Sequence, residues 1–245
     1  MLLFDPTDPG FLADPYPTLA ALREESPIFY EESLERWVVT RHADVRACLR
    51  DRRLGRNFRH VGGDEEFGAT PLDPRWQGFW DTERWSLLWL EPPEHTRIRR
   101  LVAAAFTPRS VERLRAPAAQ LARELLEPYA ERGRMELLQD YAQPYSIGVI
   151  CRMLGVPTDR RSDLLDWSHA MVKMYEFDTT DAQASAATEA AAEFRGYVLD
   201  LIERRQREPR DDMVTALVEA RVDGGRLTES EIGRASCRER VSFLV

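Results

Sequence analysis

The chain has 245 residues, 34 basic and 42 acidic, for a formal charge of −8 at pH 7, with 43% hydrophobic and 9% aromatic side chains. At about 150 residues per domain this length gives one large domain or two small ones. The composition excludes a disordered, collagen-like or disulfide-stapled chain. No run approaches the ~20 apolar residues that span a bilayer, and the N-terminus lacks the basic-then-apolar order of a signal peptide. A net acidic chain argues against a nucleic-acid partner. Cys48, Cys151 and Cys237 are far apart and outside any C-x-x-C spacing, which fits a reduced cytosol. The expectation is a cytoplasmic protein without membrane or nucleic-acid partners. Lys173 is the only lysine, a skew typical of a GC-rich bacterial genome.

In chain order, Asp5-Pro6-Thr7-Asp8-Pro9 through Asp14-Pro15-Tyr16-Pro17 is proline punctuation and is expected to be irregular. Thr18 to Glu25 reads as a short helix with Leu19 and Leu22 inward, ended by Ser26-Pro27. Ile28-Phe29-Tyr30 and Trp37-Val38-Val39-Thr40 carry a hairpin signature. His42 to Arg50 returns to helical spacing through Val45 and Leu49, and residues 51–80 are assigned mostly to loop. From Pro92 the pattern is almost entirely helical: Pro92 to Phe106, Ser110 to Arg132 (interrupted by Pro117), and Asp140 to Leu154, closed by Gly155 and Pro157. Asp159 to Tyr175, Asp181 to Gln206 and Asp211 to Ala220 follow, with a tight turn at Asp223-Gly224-Gly225 between short strands. The fold class is mostly α with a small N-terminal β hairpin.

The most informative stretch runs from Leu87 through Glu91-Pro92-Pro93-Glu94-His95-Thr96-Arg97-Ile98-Arg99-Arg100 to Phe106-Thr107-Pro108-Arg109. Two prolines suit a helix start, where backbone N–H groups lack partners anyway. Glu91 and Glu94 lie where the helix dipole favours negative charge. Ile98, Leu101, Val102 and Ala105 follow i, i+3, i+4, i+7 and define the core face. His95 and Arg99 stack on one side, with Val102 and Phe106 continuing it. A His and an Arg beside apolar residues suit an anionic group, above all a carboxylate. On pattern alone the plainer reading is that His95 caps the first turn and Arg99 pairs with a surface Glu.

E-P-P-E-H-T-R-I-R-R followed by A-F-T-P-R resembles the C-helix signature of bacterial cytochrome P-450 enzymes, the haem-thiolate monooxygenases. D-P-Y-P-T-L-A-A-L-R is similar to that family's first helix, W-V-V-T-R-H-A-D-V to its first hairpin and second helix, and M-L-G-V-P to the close of its E helix. P-R-D-D-M-V-T-A-L-V with G-G-R-L-T-E-S-E-I resembles the approach to its I helix, so the match runs over roughly residues 5 to 232. The resemblance implies that His95 and Arg99 bind the propionates of haem b. Leu88 and Trp89 fall in what the family uses as a substrate-facing loop, and Met171, Met174 and Phe177 near what roofs its substrate pocket. Ordinary packing accounts for these five equally well. Glu91 stands where the family usually has Asp. Arg97 and Arg100 point away from the His95 face, where the family docks an acidic electron-transfer partner and where a solvated charged face is the plainer reading.

The resemblance also implies what is missing. The family's iron-binding Cys lies in a Phe-x-x-Gly-x-(His/Arg)-x-Cys-x-Gly loop, and none of the three cysteines fits it; the acid–alcohol pair of the I helix and the Glu-x-x-Arg pair are absent too. The chain is therefore expected to be the N-terminal portion, residues 1–232, of a single monooxygenase domain, an incomplete fold lacking the I helix onward. The implied activity is insertion of one atom of O2 into a small organic substrate, with electrons from a ferredoxin-type donor and its reductase. This chain would hold no catalytic residue and no metal ligand, be inactive alone, and not bind haem stably. The alternative is a non-enzymatic helical binding module using the His95/Arg99 face for an acidic ligand. A metal-dependent hydrolase is disfavoured, because His42, His60, His95 and His169 have no zinc-binding spacing.

Thr228-Glu229-Ser230-Glu231 is a capping box that announces a helix. Gly233-Arg234-Ala235-Ser236-Cys237-Arg238-Glu239-Arg240-Val241 follows without apolar periodicity. From Glu231 this stretch resembles a frame translation of a common sequencing adaptor, and residues 233–245 are expected to be a non-native tail.

Overall fold

The computed structural model describes residues 4–55, 57, 62–63, 66, 72–83, 86–176, 178–222 and 224–233. They fall into two units, Met1–Gly55 and Arg56–Val245.

In the first unit the stretch expected to be irregular contains a helix, α1 (Pro9–Ala13). The Asp8 carboxylate accepts from the Phe11 N–H at 2.8 Å and Pro9 takes the first helical position, the usual chemistry of a helix start. Helix α2 (Tyr16–Glu25) begins two residues earlier than expected, with Pro17 in its first turn and Leu22 buried. Strands β1 (Ile28–Glu31) and β2 (Arg36–Val39) pair antiparallel, with Ile28 opposite Val39 and Tyr30 opposite Trp37. The Tyr30 and Trp37 rings meet edge to face, 5.6 Å between centroids. Their connection is a 3₁₀ turn followed by Glu35 in the left-handed region, φ 50°. Helix α3 (His42–Arg50) half-buries Val45 but leaves Leu49 81% exposed, against the inward reading of that leucine.

The second unit opens with an element that the pattern assigned to loop. A 3₁₀ turn, Pro74–Trp76, leads directly into α4 (Gln77–Glu83), and Asp73 accepts from the Arg75 N–H at 2.9 Å to start it. Phe79 is fully buried there, so this short helix contributes to the core. Helices α5 (Glu94–Ala105), α6 (Pro108–Glu112) and α7 (Arg115–Ala130) follow, α6 held by a capping box between Thr107 and Ser110. The break lies before Arg115 rather than at Pro117. Pro117 sits in the first turn of α7, where its missing N–H costs nothing. A π turn, Leu137–Ala142, runs into α8 (Gln143–Leu154), which closes on Gly155 at φ 73° as expected. Then come α9 (Arg161–Val172), α10 (Asp181–Arg207) and α11 (Met213–Glu219). Val222 and Gly225 form one antiparallel bridge, while Asp223 between them lies outside the described residues.

Helix α10 organises this unit. Thr180 and Gln183 form its capping box. Ala184, Ala187, Ala191, Phe194, Val198, Leu201 and Ile202 make a buried stripe at helical spacing, packed against α9, α4 and α11. The alanines let α4 approach closely, the Gly78 position lying beside Thr188. The stripe ends in Arg205, whose guanidinium is buried between Asp212 and the Gly155 carbonyl, 2.7 Å away. Asp212 in turn accepts from the Thr215 N–H at 2.9 Å and caps α11. One ion pair thus ties together the end of α8, the end of α10 and the start of α11.

Residues 229–233 are helical. The Thr228 N–H donates to Glu231 Oε2 at 2.8 Å and the Glu231 N–H to Thr228 Oγ1 at 3.3 Å, as the capping-box pattern requires. Ile232 is 2% exposed, and Leu227 beside it is also buried. Residues 234–245, the bulk of the expected non-native tail, lie outside the described residues.

Candidate functional site

The site is built on α5. It begins at Glu94, two residues later than expected, after a cis Pro92–Pro93 peptide. Its buried positions are Ile98, Leu101, Val102 and Ala105, the four read from the periodicity. Burying that stripe fixes the rotation of α5 about its axis and so decides where its polar residues point. His95 is half-buried and Arg99 exposed, one turn apart, or about 6 Å of rise along the helix. Buried Val102 and half-buried Phe106 continue their side. Among the described residues neither His95 nor Arg99 has a side-chain hydrogen bond or ion pair, so the surface-Glu partner of the plainer reading is not found there. Two adjacent cationic or proton-donating groups thus stand beside an apolar wall, an arrangement that can hold an acidic ligand with charge-assisted hydrogen bonds.

The opposite side of α5 behaves differently. The Arg97 guanidinium donates to Glu94 Oε2 at 2.9 Å and also to Glu231. Burial works against ionisation of Glu231. The Arg97 guanidinium and the Thr228 N–H more than offset it and hold the carboxyl below its usual range. Arg97 is therefore not the solvated charge of the plainer reading but part of the packing of residues 228–233 against α5.

Ahead of α5, Leu88 is exposed and Trp89 half-buried. The Asn57 side chain donates to the Trp89 carbonyl, and the Asn57 N–H to Glu91 Oε1 at 3.3 Å. That long-range clamp on residues 89–91 has no signature in the sequence. Met171 and Met174 are 1% and 9% exposed and belong to the core formed with α10. Phe177 lies outside the described residues. Beside these methionines the structure adds a pair that the sequence reading did not single out. Tyr175 Oη donates to Glu83 Oε2 at 2.5 Å, joining the end of α4 to the turn after α9. Burial raises the Glu83 carboxyl above its ordinary range, with the Tyr175 hydrogen bond pulling the other way. The spacing Trp76, Phe79, Trp80, Glu83 was the available signal for that helix.

Cys151 is 1% exposed inside α8 and Cys48 lies exposed on α3; Cys237 is outside the described residues. Among the described residues no group of three or more His, Cys, Asp or Glu is arranged to hold a metal ion. No helix of the described residues is long and apolar enough to cross a membrane.

No family model matches the chain. Individual relatives do. The polyketide biosynthesis cytochrome P450 PksS of Bacillus subtilis (strain 168) is 32% identical over 237 residues, 94% of this chain and 56% of the relative. The 6-deoxyerythronolide B hydroxylase of Saccharopolyspora erythraea is 34% identical over 231 residues, 91% of this chain and 55% of the relative. Among solved structures, P450BioI in complex with an acyl carrier protein ligated to hexadec-9Z-enoic acid superimposes with a TM-score of 0.84 at 26% identity, covering 95% of this chain and 58% of that one. These relatives do not favour the reading of α5 as a stand-alone binding module. The chain spans about half the length of the curated relatives it matches. With the helical order, the hairpin and the His95/Arg99 helix all in place, the chain is similar over nearly all of its length to bacterial cytochrome P450s and matches about half of their fold.

Proposed function

We propose that this chain is the N-terminal portion of a bacterial monooxygenase that inserts one atom of O2 into a small organic substrate. His95 and Arg99 are its grip on the two acidic arms of haem b. The observation that carries this is the pairing of those side chains on one face of α5, beside buried Val102 and without partners among the described residues. Two carboxylates on one planar ligand need two donors at about that separation, and Arg offers a fork that matches a carboxylate in geometry as well as charge. When bound, haem supplies the oxygen-activating redox chemistry. The part of these residues is to fix its edge, and that of Val102 and Phe106 to keep water from that edge.

Leu88 and Trp89 on the loop before α5 are assigned to the substrate side, together with Phe177. Met171 and Met174 are assigned beneath that region, where their burial in the core with α10 supports packing rather than an open substrate wall. The electron donor is assigned as a ferredoxin-type protein with its reductase, and the compartment as the cytoplasm. Activity belongs to the whole protein: Cys48 and Cys151 are both on helices, and neither sits in a loop that presents a thiolate to iron. The test is expression of the complete gene product with haem, followed by reduction under carbon monoxide. A red-shifted, thiolate-type Soret band with substrate-dependent O2 consumption supports the assignment. A complete product that takes up no haem overturns it.

A further inference from the structure

We infer that Glu231 is a positioning residue for the cationic face of α5, gripping that helix through Arg97 with one carboxylate oxygen while the other caps the helical turn 229–233. The two oxygens have separate partners: Oε2 accepts from the Thr228 N–H at 2.8 Å, and Oε1 accepts from Arg97. The capping box therefore does more than start a helix. Thr228 fixes the glutamate side chain, and the fixed carboxylate fixes Arg97, 134 positions away in sequence. Arg97 is further held by Glu94, on the first turn of α5, through its Nε at 3.1 Å and its Nη2 at 2.9 Å. Glu94, Arg97 and Glu231 thus form a strap across the N-terminal turn that carries His95.

Burial makes this strap more than a surface ion pair. The Glu231 side chain is only 12% exposed, although Arg97 is 43% exposed. Ile232, next in the chain, is buried with Leu227, so the turn 229–233 is anchored in the core on its other side. The buried stripe fixes the rotation of α5 as a whole, and a rigid anchor with a charged tip restrains the exposed first turn that carries His95. Because both carboxylates engage Arg97, its charge is balanced within the molecule although the side chain is exposed, which makes it a poor docking charge for an electron-transfer partner. The inference rests on the haem reading only for what His95 and Arg99 hold, and on Glu231 and Ile232 belonging to the native portion, residues 1–232.

The experiment compares Arg97→Gln, Glu231→Gln, the double variant and Arg97→Lys in the full chain, reading the imidazole NMR signals of His95 (assigned by their loss in His95→Asn) and amide exchange at residues 95–98. A Gln at 231 still accepts the Thr228 N–H, so the cap survives and only the grip on Arg97 weakens. Each neutral variant is expected to move the His95 ring signals to the same new position and to speed exchange about two- to fivefold, the range for a partly exposed ion pair. The double variant then adds nothing further, and Arg97→Lys restores part of the shift. A ring unmoved by either single variant, or two shifts that add independently, overturns the inference. Should Arg97→Gln fail to fold, Arg97→Lys gives the same reading at smaller amplitude, and an unmoved ring there overturns it equally. A ring that follows Arg97 in this chain, together with a complete gene product that takes up no haem, supports the strap while defeating the haem assignment, so the two failures are distinguishable.

Discussion

Gly155→Ala tests how tightly the buried ion pair closes the fold. Gly155 ends α8 at φ 73°, where an L side chain costs roughly 1–2 kcal/mol. A Cβ built there would lie 2.0 Å from Asp212 Oδ2, 2.5 Å from Asp212 Cγ and 2.7 Å from Arg205 Nη2. None of these atoms is free to yield. Arg205 and Asp212 side chains are 5% and 6% exposed and bonded to each other, Asp212 also caps α11, and Arg205 also holds the Gly155 carbonyl. The methyl group therefore separates a buried pair, which costs about 3–5 kcal/mol when one charge is left uncompensated. The sum is about 4–7 kcal/mol, comparable to the whole stability of a marginal domain. Gly133 supplies the control, with φ 64° and nothing within 4 Å of an added Cβ, so that Gly133→Ala carries only the backbone cost of roughly 1–2 kcal/mol. Urea unfolding followed by circular dichroism measures both. Equal losses in the two variants would refute the argument that Asp212 and Arg205 have no room to move.

Glu83→Gln should remove a pH dependence. Burial raises the Glu83 carboxyl in the folded chain above its ordinary value of 4.5, so its contribution to stability is fully present below that value and is lost as pH rises through the folded pKa. The Gln variant should therefore gain on the parent between pH 4 and pH 8 in unfolding midpoint, and a variant that falls further behind at pH 8 contradicts the burial argument. Removing residues 234–245 should change the unfolding free energy by no more than about 0.5 kcal/mol, as expected for a non-native tail. A larger loss, or genomic DNA that encodes this tail through to a stop codon, would refute its being non-native.

The sequence was most readable where local periodicity and burial agree. Ile98, Leu101, Val102 and Ala105 announced the buried face of α5 and left only one side for His95 and Arg99. The hairpin and the Gly155 stop were equally local, the first set by β-branched and aromatic runs, the second by a glycine at a left-handed position. α4 was missed because its entry is a 3₁₀ turn of Pro, Arg and Trp, and a seven-residue helix offers only one repeat of the apolar spacing. Leu49 shows the converse, an apolar residue at the right spacing that ends 81% exposed. The partners that fix the site are distant in sequence: Asn57 with Trp89, Tyr175 with Glu83, Glu231 with Arg97. No local pattern encodes such pairs, because they exist only after the helices have packed.

The most direct test of the central claim compares natural haem with its dimethyl ester, whose acidic arms carry no charge, in the complete protein and in its His95→Ala/Arg99→Ala variant. Hydrogen bonds to charged groups contribute about 1.5–3 kcal/mol each. The parent should therefore prefer natural haem by roughly 10-fold or more for each arm, and the double variant should show almost no preference. A variant that still discriminates between the two haems as strongly as the parent would show that these side chains do not hold the acidic arms.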